Sequence, residues 1–220
     1  MMISWRSHLI AFLLAGLFAQ DCVSEEALPE NAVPYGEDPA QRFELWVPEE
    51  ATLQSRAPVL IYFPSSQLIF KEPHRFDPDP FLKSGIAVVV ASYRKVKVSQ
   101  ITSPIPLNDG VRILEKLQAE SETQPIDPGR IGVIGHEAGG IVALWLAYQR
   151  NPEKPSPPVS VAVAIDTPTR LDPSWMAKEI GGRLTVSAGT RLLFRLSIAE
   201  AGKEPIKSRL ESISPWHLAD

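Results

Sequence analysis

The sequence has few of the residues that staple a fold or hold a metal. Its 220 residues include one cysteine, Cys22, and four histidines, His8, His74, His136 and His217. A single thiol closes no internal disulfide and builds no cysteine-based metal site. The histidines lie far apart and show none of the i, i+4 spacing of ligands on one helix face, so no metal and no cofactor is expected. Positive charge is not in excess either: 22 Lys and Arg against 26 Asp and Glu give a net charge of −4 and a pI of about 5.6. Without a basic footprint for a phosphate backbone, nucleic acid is not an expected partner. No apolar run reaches the about 20 residues of a membrane-spanning helix, so no stable membrane span is predicted.

What is present is ordinary for a globular chain: 44% hydrophobic and 22% charged residues, enough for one buried core. The 21 prolines are scattered between apolar runs and mark ordered turns. Residues 1–19 have the pattern of a secretory signal. Arg6 and His8 make a weakly basic start, Leu9 to Phe18 is continuously apolar, and Ala19 is a small residue suited to cleavage. Export to the periplasm or beyond follows, with an uncleaved N-terminal anchor as the alternative. Asp21 before Cys22 argues against a lipoprotein signal. Residues 20–33 are polar and aperiodic, a mobile leader, and one domain is expected over 34–220.

Along that domain, Arg42–Val47 alternates, with Phe43, Leu45 and Val47 on one face, which predicts an antiparallel strand near a sheet edge. Pro58–Phe63, Gly85–Ser92, Arg130–Ile134 and Val159–Ile165 are nearly unbroken apolar runs, the pattern of strands covered on both faces in a parallel sheet. Helical spacing follows Asn108 or Asp109, either of which suits a cap, through Val111, Leu114 and Leu117. A second helix, Ala138–Gln149, places Ile141, Leu144, Trp145 and Tyr148 on one side and stops before Pro152. Short helices are expected at Thr190–Ala199 and Ile206–Ser212. Alternating buried strands and amphipathic helices predict an α/β domain with a mainly parallel sheet and flanking helices.

The most informative stretch runs Asp127-Pro128-Gly129-Arg130-Ile131-Gly132-Val133-Ile134-Gly135-His136-Glu137-Ala138-Gly139-Gly140. A strand passes through Gly-His-Glu-Ala-Gly into a helix, the frame of the G-x-S-x-G nucleophile elbow. Small residues there permit a sharp turn, which holds one side chain above the sheet and aims backbone N–H groups at the start of the helix.

On these residues the chain resembles a secreted α/β-hydrolase of the esterase/lipase type, near its acetylesterase-like and feruloyl-esterase-like members. Pro58–Phe63 resembles the strand before the oxyanion loop, and Gly85–Arg94, ending Ser-Tyr-Arg, the next strand with its Asn-Tyr-Arg signature. Pro106 to Asp109 resembles the Pro-to-Asp approach to the following helix. Val159–Ile165 resembles the strand after the elbow helix, and Ser214-Pro215-Trp216-His217 a Ser-Pro motif before the penultimate strand. The resemblance covers residues 34–220 and implies an α/β-hydrolase fold lacking its last two strands. It also implies a substrate that is a small ester or esterified polysaccharide, with oxyanion donors near Ala138 and Ser65.

Three departures bear on activity. Glu137 stands where the family has its nucleophilic Ser. A carboxylate can attack, but the longer side chain displaces its oxygens and sets negative charge where an oxyanion should form. The Gly-rich oxyanion loop, His-Gly-Gly-Gly in the family, reads Phe63-Pro64-Ser65-Ser66-Gln67, and Pro64 has no N–H to donate. The sequence stops at Asp220, before the segments that carry the family's acid and base. A truncated reading frame and a lineage that lost catalysis both fit, and the second is favoured.

Glu137 therefore reads as an inert, solvated side chain at a helix N-terminus, with a nucleophile or general base as the alternative. His136 reads as scaffold, His217 as a packing residue and His74 as a loop residue with no marked partner. Ser65 or Ser66 could substitute as nucleophile but shows no base in the sequence. Val159–Ile165 would be left as an apolar sheet edge, prone to self-association unless a segment from Pro168 to Leu218 or a partner covers it. Two functions follow: a catalytically impaired relative of ester hydrolases, or an exported binding or assembly protein on the same scaffold.

Overall fold

The computed structural model describes residues 31–65, 76–94, 105–148, 159–171, 175, 199 and 202–219. The expected signal and most of the expected leader, Cys22, His8, His74, Ser66, Gln67 and the helix expected from Thr190 lie outside them, apart from Ala199. Among the described residues six strands form one sheet: β1 (Ala32–Pro34), β2 (Arg42–Trp46), β3 (Ala57–Phe63), β4 (Ala87–Ala91), β5 (Ile126–His136) and β6 (Val159–Ile165), in the order β1-β2-β4-β3-β5-β6. The pairs β1–β2 and β2–β4 are antiparallel, whereas β4–β3, β3–β5 and β5–β6 are parallel. Between and after the strands lie α1 (Asp79–Leu82), α2 (Ile105–Glu120), α3 (Ala138–Tyr148), α4 (Ile206–Ser212) and α5 (Pro215–Leu218). The expected α/β architecture with a mainly parallel sheet is thus present.

Strand register shows why the apolar runs belong together. Leu45, Val89, Ile61, Val133 and Ala162 stand opposite one another across β2, β4, β3, β5 and β6, making one apolar row along the sheet. With Phe43, Val59, Phe63, Ala87 and Ile131 this face meets Leu107, Ile113, Leu114 and Leu117 of α2 and Val142, Ala143 and Leu146 of α3. Each Val, Leu, Ile or Phe among them contributes about 1.5–3 kcal/mol when fully buried, so this layer is the main source of cohesion. On the other face, Phe76 stacks on Tyr62 at 4.4 Å and Phe81 of α1 stacks on Phe76 at 5.4 Å.

Several expectations are corrected. β1 includes Ala32 and Val33, which the composition assigned to a leader. Asp109 caps no helix: α2 already runs from Ile105, with Pro106 tolerated in its first turn, and Asp109 lies inside it, fully buried. The inward side of α3 is Gly139, Gly140, Val142, Ala143 and Leu146, whereas Tyr148 is exposed. That helix is apolar almost all round, so periodicity could not single out its face. Among the described residues nothing covers the second face of β6: Val161, Val163 and Ile165 are 56%, 44% and 43% exposed. His217 is exposed rather than packed. The Ser-Pro segment is anchored by Ser214 instead, which is buried, donates to the Thr169 carbonyl at 3.0 Å and accepts from Leu171 N–H at 3.2 Å.

β5 carries an irregularity before the elbow. Its partner register on β3 steps from Pro58–Asp127 to Val59–Ile131, leaving Pro128, Gly129 and Arg130 as a bulge. Asp127 closes it, accepting from Arg130 Nε at 2.6 Å and from Gly129 N–H at 2.9 Å, while Arg130 Nη2 donates to the Arg56 carbonyl at 2.6 Å. The Arg130 hydrogen bond, aided by the Gly129 N–H, holds the Asp127 carboxyl below its ordinary range. The charged form is favoured in the folded state, so this stabilisation is complete above the unfolded carboxyl's range and fades as pH falls through the folded one. Asp127→Asn is expected to flatten the acid limb of the stability–pH curve, by under about 1 kcal/mol because the pair is solvent-accessible. Urea unfolding at several pH values checks this.

Candidate active site

The parallel strands β3, β5 and β6 end on the same side of the sheet, and the residues that follow them converge there. Glu137 forms the turn between β5 and α3 with φ of 51°, a left-handed conformation that costs a residue with a Cβ about 1–2 kcal/mol. Its N–H donates to the Ile165 carbonyl at the end of β6 (2.9 Å), and its carbonyl accepts from Gly140 N–H at 3.1 Å. The glycines around it are required by contact. A Cβ on Gly135 would lie 2.3 Å from the Gly139 carbonyl, and one on Gly139 would lie 2.1 Å from the Phe63 carbonyl oxygen. The N-terminus of α3 is thereby seated directly on the end of β3.

Glu137 is half-buried, and its Oε2 accepts a hydrogen bond from Ser65 Oγ, in the loop after β3. The side chain is therefore engaged rather than freely solvated, a correction to its reading as a solvated cap. Its charge suits the start of α3, where the helix dipole favours an anion. Ala138, the other proposed oxyanion donor, is the first residue of that helix. The fold therefore gathers Glu137, Ala138 and Ser65 at one place.

A second layer holds the Ser65 loop. Tyr93, just past β4, donates its phenol to the Pro64 carbonyl at 2.6 Å. Burial, with smaller contributions from Tyr62 and the Glu137 charge, raises the Tyr93 phenol well above its ordinary range, so it stays a donor. The next residue, Arg94, is bound to Asp109 of α2 through its backbone N–H (2.9 Å), Nε (3.0 Å) and Nη2 (2.6 Å). Gln41 Nε2 donates to the same carboxylate at 2.9 Å. This buried acid fixes the Ser92-Tyr93-Arg94 segment, and through Tyr93 the Pro64–Ser65 loop. Sequence reasoning missed these roles. The signal was available, because Asp109, Ile113 and Leu117 recur every four residues and put a charge in a buried stripe.

His136, the residue before Glu137, lies with Nε2 3.6 Å from Asp166 Oδ2. Asp166 follows β6 and is the other described non-glycine residue with positive φ, also 51°. Among the described residues no group of three or more His, Cys, Asp or Glu could hold a metal ion, and no helix is long and apolar enough to cross a membrane.

A strand-turn-helix elbow at the carboxyl end of a parallel strand, in a sheet of this order, defines a class, and comparison with known proteins agrees. The family described as alpha/beta hydrolase fold matches residues 75–210, more than half of the chain, and the chain belongs to it. Among solved structures it is similar to an acetyl ester-xyloside bifunctional hydrolase from Caldicellulosiruptor lactoaceticus: TM-score 0.58, 18% identity, 88% of this chain and 71% of that one. A truncated form of a carbohydrate esterase from gut microbiota gives TM-score 0.61 at 18% identity, over 86% of this chain and 72% of that one. The apo form of Thermogutta terrifontis esterase 2 gives 0.53 at 18% identity, over 86% and 68%. At such identities the likeness is one of fold. No curated protein matches the chain.

The seat of α3 generates a test. Gly139→Ala would set a methyl against backbone oxygens of Phe63 and Pro64, which cannot swing aside as a side chain can. The expected loss is about 3 kcal/mol, measured by denaturant unfolding, and an unchanged midpoint would mean this contact is not made.

Proposed function

We propose that the chain is an esterase-lineage α/β-hydrolase impaired in the acyl transfer that a serine elbow performs. One observation carries this reading: Glu137 occupies the strained elbow position with its carboxylate on Ser65. A tetrahedral oxyanion forming there would meet a resident negative charge, and Pro64 offers no N–H in the loop opposite. Losing one oxyanion donor alone costs about 3–4 kcal/mol of transition-state stabilisation. The class of substrate that the lineage suggests is a small acyl ester or an esterified polysaccharide, and the similar solved structures named as an acetyl ester-xyloside hydrolase and a carbohydrate esterase support it. Export through residues 1–19 belongs to the same reading.

A second reading, a non-catalytic binding or assembly protein on this scaffold, is favoured by β6. Its outward Val161, Val163 and Ile165 and its uncharged edge suit pairing with a second copy of the chain.

Steady-state turnover of a short-chain nitrophenyl ester by the purified chain tests the main reading. The expected rate is at least about a thousandfold below the roughly 10 s⁻¹ of a median enzyme. Sustained turnover near that median would contradict impairment. Light scattering on the same preparation reads the second proposal: a stable dimer favours it, and a monomer at high concentration opposes it.

A further inference from the structure

We infer that Ser65 is an acyl acceptor with Glu137 as its general base, so that the site retains the first half-reaction of ester cleavage toward small activated acyl esters. The inference rests on the proposed function and goes further, by saying what the altered elbow still does. The roles are transposed relative to a serine elbow, with the hydroxyl on the loop after β3 and the carboxylate in the turn.

The geometry supplies what a nucleophile needs. Ser65 Oγ already donates its proton to Glu137 Oε2, the arrangement of a nucleophile with its base. Ser65 is half-buried, hence reachable, while the peptide before it is held from two sides. Tyr93 holds the Pro64 carbonyl, and α3 packs on the Phe63 and Pro64 carbonyls through Gly139. The base is equally restrained by the backbone of the elbow. Both partners therefore sit on tethered backbone, and that preorganisation lowers the entropic part of the barrier. The start of α3, from Ala138, adds a positive dipole end toward which an oxyanion can form.

An Oγ lone pair of Ser65 bonds to the ester carbonyl carbon as the hydroxyl proton passes to Glu137, and the carbonyl π pair moves onto oxygen. Collapse of that intermediate restores the carbonyl and expels the phenolate or alkoxide. The departing oxygen takes the proton from Glu137 or, for a nitrophenolate, leaves unprotonated while Glu137 loses its proton to solvent. Hydrolysis of acyl-Ser65 requires water, with Glu137 again taking a proton and returning it to the Ser65 oxygen. A carboxylate is a weaker base than imidazole; an activated ester reacts in the first half even so, whereas attack of water on the unactivated acyl-Ser65 ester is slow, and acyl-Ser65 accumulates.

The full chain is treated with 4-nitrophenyl acetate, with nitrophenolate release followed in time and the acetylated site mapped by peptide mass spectrometry. The expected result is a burst of one equivalent, one acetyl group on Ser65, and slow release afterwards. Ser65→Ala should abolish both burst and label, and Glu137→Gln should slow the burst about a hundredfold, the scale of general-base assistance. Mapping the unaltered chain decides the matter even if a variant does not fold. Label on surface lysines or tyrosines only, no label, or label on Ser65 at an unchanged rate in Glu137→Gln would overturn the inference. Absence of label together with absence of turnover would leave the proposed impairment standing. Ser65 label with brisk turnover would remove the impairment and keep the acceptor.

Discussion

The constraint on which the site depends is the left-handed backbone at residue 137. A parallel strand that must turn sharply into a helix packed on its own sheet has few backbone solutions. This one sets α3 so close to β3 and β5 that its first turn admits almost no side chain. Gly135 and Gly139 are consequences of that approach, and the hydrogen bond from Glu137 N–H to the Ile165 carbonyl ties the turn to the next strand. Strain of this kind persists only where the surroundings over-determine it. Here the surroundings are the glycine contacts on one side and β6 on the other.

That geometry carries a different functional group from the serine elbow's. In a serine elbow the turn presents a hydroxyl and leaves backbone N–H groups to receive an oxyanion. In this chain the turn presents a carboxylate, and the nearest hydroxyl comes from the opposite loop. The support beneath it remains well built: Asp109 binds Arg94 by three donors and Gln41 by one, and Tyr93 carries that order to the Pro64 carbonyl. A buried charge left without partners would cost several kcal/mol, which explains why the acid is so fully satisfied. The pair Ser65–Glu137 is therefore held by the same scaffold that would hold a conventional site, and its chemistry follows from the two functional groups rather than from looseness.

Much of the fold was legible in the sequence because its cause is short-range. Four apolar runs bounded by turn residues became β3, β4, β5 and β6, and the Gly-His-Glu-Ala-Gly segment placed Glu137 at the carboxyl end of β5. What was not legible depends on tertiary contact. Periodicity could not orient α3, since nearly every residue of it is apolar. It set Asp109 in one stripe with Ile113 and Leu117 but could not show that Arg94 is its partner, and a polar residue near a helix start is also a good cap. Val161 and Val163 look like core in sequence, yet the described neighbours leave them open to solvent. The contact between Ser65 and Glu137 joins positions 72 residues apart, and no local pattern encodes it.

The central claim, that residue 137 is held in left-handed strain by the elbow, is tested most directly by comparing Glu137→Gly with Glu137→Ala in denaturant unfolding. Both variants lose the carboxylate and its bond from Ser65, so their difference isolates the backbone. At an ordinary position glycine is about 0.5–1 kcal/mol less stable than alanine. With φ at 51° the order should reverse, glycine exceeding alanine by about 1 kcal/mol. Alanine exceeding glycine by the ordinary margin would contradict the account.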